Sequence, residues 1–173
     1  MLFTPDENSG EPSQQLPDGP FSGRVAFGDA IRQALQAAEV RGWKEIMLCD
    51  ANFADWPLGE RAVIQSLNGW SARGRKFTML AGSFDAMLQK HPRFVVWRKT
   101  WDHLIDCRRI AARRSTSIPS AIWTPEWVME RIDAPRCIGT FGSDAGPRVR
   151  LQEQLNELVI TSTPAFPATV LGL

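Results

Sequence analysis

The sequence predicts an α/β domain with a mostly parallel sheet flanked by helices. Three observations carry this. Short apolar runs alternate with amphipathic helical stretches; glycines stand where those stretches stop; and 43% of the 173 residues are hydrophobic while 23% are charged, which is ordinary for a globular chain. A chain of this length can bury one core without disulfides or metals.

Residues 1–22 come first. They hold four prolines and two glycines among polar neighbours, and four acidic residues with no Lys or Arg. Too few apolar side chains are present to offset the entropy of ordering, so the stretch reads as a disordered arm. A single α/β domain is expected over 23–160, with an extended tail over 161–173. The arm carries charge −4 and the rest +5.

Within the domain, Asp29 is placed to cap a helix whose apolar face is Ile31, Ala34, Leu35 and Ala38, with Gly42 ending it. Residues 45–50 (EIMLCD) read as a buried strand. A helix over 58–72 follows, burying Ala62, Val63, Leu67 and Trp70, with Gly74 beyond it. Residues 76–81 (KFTMLA) are a second strand. Ser83 caps a short helix carrying Phe84, Met87 and Leu88, and Pro92 opens another with Phe94, Trp97 and Trp101 on one stripe. Strands are expected at 103–109, 120–124 and 136–141, a short helix from Thr124 or Pro125 to Arg131, and a final amphipathic helix over 148–160. Pro164 and Pro167 keep the tail from continuing it. The tail carries Phe166, Val170, Leu171 and Leu173 without a charge, and is expected to lie across its own domain or a neighbouring subunit in a homodimer.

Chemistry-bearing residues are few. The loop Asp50, Asn52, Asp55, Trp56 leaves the carboxyl end of the first sheet strand, where ligands gather in open α/β sheets. Asp50 and Asp55 are candidates for a cation site or an acid–base pair; the plainer reading has Asp50 capping its turn and Asp55 capping the next helix. His91 and His103 are the two histidines, and for each a structural role outweighs a catalytic one. Arg108, Arg109, Arg113 and Arg114 form a candidate anion-binding loop for phosphate or nucleic acid, against the plainer reading of a solvated basic loop. Most of the seven tryptophans are expected in the core, with Trp56 and Trp127 the candidates to line a pocket or an interface. Three cysteines without zinc spacing point to buried, reduced thiols in a cytoplasmic protein. No run of apolar residues is long enough for a membrane span, and no cofactor, metal or phosphate-loop motif is present.

The segments EIMLCDANFADWPLGERAVIQSL (45–67), HPRFVVWRKTWDHLIDCR (91–108) and CIGTFGSD (137–144), with the closing residues 162–173, resemble an uncharacterised proteobacterial family built as a phospholipase-D-like half domain. Active members of that superfamily attack phosphorus with the histidine of His-x-Lys-x4-Asp, ahead of a strand ending Gly-Ser-x-Asn. Here the corresponding segment 118–127 (IPSAIWTPEW) has neither His nor Lys, and only Gly142, Ser143 and Asp144 echo the second motif. The resemblance therefore implies a non-catalytic binding or accessory protein, a pseudoenzyme with Ser143 and Asp144 in a degenerate pocket. The alternatives are an enzyme of other chemistry at the strand ends, using Asp50, Asp55 or His103, and a phosphate- or nucleic-acid-binding module using the arginine loop.

Overall fold

Apolar runs too short to be helices pair edge to edge at the centre of the molecule. A computed structural model describes residues 15–167, with the backbone alone for 114–116. Strand β1 (Gly19–Ser22) precedes helix α1 (Arg24–Arg41), strand β2 (Glu45–Asp50), helix α2 (Arg61–Ser71) and strand β3 (Lys76–Ala81). Helices α3 (Asp85–Lys90) and α4 (Pro92–Thr100) lead to strand β4 (Ile105–Arg109). Strands β5 (Ser120–Trp123), β6 (Val128–Asp133) and β7 (Ile138–Gly142), helix α5 (Ala145–Thr161) and strand β8 (Thr163–Pro164) complete the order.

The eight strands form one sheet in the order β1-β7-β6-β5-β2-β3-β4-β8. Only β2 with β3 and β3 with β4 pair in parallel. The other five pairings are antiparallel, so the expectation of a mostly parallel sheet is corrected: the sheet is mixed and mostly antiparallel. The reason lies in the connections. Residues 124–127 join β5 to β6 and residues 134–137 join β6 to β7, and a parallel crossover needs about a dozen residues or more. Residues 128–131, expected in a helix, belong to β6.

Alternate residues of β2 serve two cores. Ile46 and Leu48 face α1, α2 and α4, packing with Ile31, Leu35, Leu67, Phe94 and Trp97. Met47 and Cys49 face α5 through Leu151, Leu155 and Leu158. Helix α1 buries the expected Ile31, Ala34, Leu35 and Ala38. It starts before Asp29, which is exposed within it, and is capped by Gly23 rather than by Asp29. It ends at Gly42, whose φ of 66° is a left-handed conformation that favours glycine. Ala62 of α2, expected inside, is exposed, as is Leu88 of α3.

Both ends of the described part are drawn into the sheet. Leu16 is buried, Trp127 Nε1 donates to the Pro17 carbonyl at 2.9 Å, and β1 pairs with β7. Ordered structure thus reaches into the stretch expected to be an arm through residue 22; residues 1–14 lie outside the described part. At the other end, Thr161 closes α5, β8 pairs with the free edge of β4, and Phe166 is buried on the domain's own surface. Val170, Leu171 and Leu173 lie outside the described residues. No helix among those described is long and apolar enough to cross a membrane.

Candidate nucleic-acid interface

The pairings give each strand a direction, so the sheet has two chemically different ends. Strands β2, β3, β4 and β6 run one way, with β5 and β7 between and beside them running back. Asp50, the last residue of β2, is buried at the carboxyl end. Its Oδ2 accepts the N–H groups of Asn52 at 3.2 Å and Phe53 at 2.8 Å, which holds the turn in which Phe53 takes a φ of 56°. Its Oδ1 accepts from Arg131 Nη2 at 3.1 Å. Asp55 receives the same guanidinium through both oxygens, at 2.5 and 3.3 Å. Arg131 also donates to Ser120 Oγ at 3.0 Å and Cys137 Sγ at 3.3 Å, and its guanidinium lies 4.2 Å from the Phe27 ring centre. Burial works against its charge, but the bonds to Asp55 and Cys137 and the charges of Asp55 and Asp50 outweigh that and hold it above the ordinary arginine value.

A cleft of about 490 Å³ opens over this group, with Asn52, Arg24 and Lys90 among its walls. Asp50 and Asp55 meet there, as the sequence places them, but they meet across an arginine. Their oxygens are spent on one guanidinium and the adjoining turn, which disfavours them as an acid–base pair. Asp50 does hold its turn; Asp55 pairs with Arg131 instead of capping α2. Among the described residues no three His, Cys, Asp or Glu side chains converge as a metal site would require. Arg131 was not among the sequence candidates. It sits between half-buried Glu130 and exposed Ile132, so no local hydropathy pattern announces it.

The remaining candidates scatter. Trp56 and Trp127 are fully buried core residues rather than pocket walls. His103, expected to begin a strand, is exposed in the 3-10 turn Asp102–Leu104 just before β4, at the opposite end of the sheet from Asp50. Ser143 and Asp144 follow β7 at that opposite end too, exposed, with Asp144 at the start of α5. Buried His91 has Nε2 2.9 Å from the Phe53 carbonyl oxygen, a structural tie. The arginine loop divides: Arg108 donates from Nε to Ser162 Oγ at 2.6 Å and from Nη2 to the Ser162 carbonyl at 3.2 Å, while Arg109 and Arg113 are exposed. The side chain of Arg114 lies outside the described part. The three cysteines are buried free thiols. Burial pushes Cys107 up to about 12 and raises Cys49 further.

The amino end of β2 and β3 is built differently. Trp70 Nε1 donates to the Trp43 carbonyl at 2.6 Å, pinning the end of α2 to the loop after α1. Arg75 and Lys76 then donate their backbone N–H groups to the Lys44 carbonyl at 2.9 and 3.1 Å, and Lys44 Nζ donates to the Arg73 carbonyl at 3.0 Å. These bonds gather Lys44, Arg73, Arg75 and Lys76 on one edge, all exposed. Among the described residues none of the four forms an ion pair with a carboxylate. Half-buried Glu45, opposite Lys76 in the β2–β3 register, is the one acid within these two segments. Half-buried Trp101, whose Nε1 donates to Asn68 at 3.2 Å, lies 6.0 Å from the His103 ring at the same end. In the sequence these cations come from two segments about thirty residues apart, and the run RGRK at 73–76 is the local sign of them.

No family model and no curated protein matches the chain. A solved structure does: TrmBL2, an archaeal chromatin protein whose structure shows a novel mode of DNA binding. The TM-score is 0.64 at 14% identity over 90% of this chain, which establishes a shared fold. The match covers 56% of TrmBL2, so this chain spans little more than half its length. The expected phospholipase-D-like half domain is corrected by this match together with the mixed sheet.

Proposed function

We propose that the chain is a nucleic-acid-binding module that holds backbone phosphates along the edge formed by Lys44, Arg73, Arg75 and Lys76. The observation that carries the reading is four exposed cations gathered by backbone hydrogen bonds, with no carboxylate paired to any of them among the described residues. Cations of this kind displace the counterions condensed on a duplex, and that release drives binding without reading sequence. TrmBL2, which shares the fold, is a chromatin protein that binds DNA. Trp101 and His103 at the same end offer ring faces to an unpaired base. The reading is of a binder rather than an enzyme, because the carboxylates best placed for catalysis are neutralised by Arg131.

The test is fluorescence anisotropy with a labelled duplex of mixed sequence, titrated at several salt concentrations. Four phosphate contacts predict a slope of log affinity on log salt of about −3 to −4. The variant Arg73→Glu/Arg75→Glu is expected to lose most of the binding at every salt concentration, and Arg109→Ala/Arg113→Ala to keep it. Absence of binding at the lowest salt would overturn the proposal. So would loss on removing Arg109 and Arg113 alone, which would return the contact to the arginine loop.

A further inference from the structure

At the carboxyl ends of β3 and β4, away from the basic edge, the chain folds back on itself around a cavity of about 310 Å³. Its apolar walls are Phe84 at the start of α3, Leu88 one turn on, and Phe166 of the returning tail. The two phenylalanine rings stack with centroids 5.4 Å apart and an interplanar angle of 16°. Three charged side chains line it: Lys99 of α4, Arg109 at the end of β4, and Asp85. Neither Lys99 nor Arg109 has an ion-pair partner among the described residues, and both are exposed.

The wall made by the tail is fixed rather than draped. Thr163 and Pro164 sit in register with Arg109 and Arg108, and Ala165 donates its N–H to the Cys107 carbonyl at 2.9 Å. Arg98 then locks the last turn: Nε donates to the Phe166 carbonyl at 3.3 Å, Nη1 pairs with Asp102 at 2.7 Å, and the guanidinium lies 5.8 Å from the Phe166 ring centre. Arg98 is therefore committed to the wall, which leaves Lys99 and Arg109 as the cations available to a guest. A preformed space, apolar over most of its lining and carrying a small surplus of positive charge, is the arrangement of a small-molecule site. Its volume is at the lower end of the usual range, about 300–1,000 Å³.

We infer that this cavity binds a small amphipathic anion, with an acyl or aryl body against Phe84, Leu88 and Phe166 and a single carboxylate held by Arg109 and Lys99. The site shares no residue with the basic edge, so it stands or falls independently of nucleic-acid binding. A charge-assisted bond to Arg109 fixes the head, and burial of the body supplies the rest. Asp85 disfavours a second negative charge and so selects a monoanionic head.

Calorimetric titration of the full chain with decanoate tests this, with decanol and inorganic phosphate as separate probes of the two halves. Saturable one-to-one binding of decanoate is expected, at least about tenfold tighter than either probe. Arg109→Ala/Lys99→Ala is expected to weaken decanoate about tenfold or more and leave decanol unchanged. Leu88→Glu, at an exposed position that the core does not need, is expected to abolish binding while thermal unfolding remains that of the parent. No saturable heat with decanoate, equal affinity for decanol, or unchanged binding by both variants would each overturn the inference. Duplex binding by these variants, measured in parallel, keeps the two proposals apart.

Discussion

The two ends of the central strands contain similar numbers of charges and use them in opposite ways. At the carboxyl end, Asp50, Asp55 and Arg131 face inward and satisfy one another: Arg131 is buried, Asp50 is buried and Asp55 is one-third exposed. At the amino end, Lys44, Arg73, Arg75 and Lys76 face water and satisfy no carboxylate. The first arrangement supports the fold, since an ion removed from water must find its partner inside the protein. The second costs the fold little and leaves charge free for an outside partner. Residue type alone would have ranked them the other way, because a pair of aspartates at a strand end looks more like a site than a basic turn does.

The largest effect is expected of Arg131→Ala. It leaves Asp50 buried beside Asp55 with no counter-charge, and a loss of about 3–5 kcal/mol is expected in urea denaturation. A loss below about 1 kcal/mol would mean that water reaches the carboxylates and that the two ends are alike. Asp55→Asn should cost less, about 1–2 kcal/mol by the same measurement, because a neutral amide keeps one hydrogen bond and the side chain already touches solvent. The smallest effect belongs to the amino end. Arg73→Ala/Arg75→Ala/Lys76→Ala is expected to change stability by no more than about 0.5 kcal/mol while duplex binding falls. A large stability loss there would show these cations to be structural.

The candidate sites were unevenly legible. Asp50 was readable as a turn-holding residue because its acceptors reach only two and three positions along the chain. Its partner Arg131 lies 81 residues away, in a segment whose pattern predicts a helix, so the ion pair that settles the chemistry of Asp50 and Asp55 is invisible in the sequence. The arginine loop was visible as composition, yet β4 carries Arg108 toward Ser162 while Arg109 lines a cavity. Neighbours along a strand point to opposite faces, so adjacency in sequence became separation in space. The reverse happened at the basic edge, where Lys44 and the 73–76 turn became neighbours only through hydrogen bonds to the Lys44 carbonyl.

Local features follow from the order of residues alone. Strands β2 and β3 begin and end where their apolar runs do, Gly42 stops α1 in a left-handed turn, and Pro92 opens α4. Each depends on backbone preferences and on hydrophobic spacing within a few residues. Strand direction and sheet order were decided by tertiary structure. An apolar run of four to six residues buries equally well with its neighbour parallel or antiparallel, so its pattern carries no direction. Short connections turned β5, β6 and β7 into hairpins, β1 found the open edge of β7, and the returning tail closed the edge of β4. Those pairings join residues far apart in the chain, and only they bring Arg131 to Asp50 and Phe166 to Phe84.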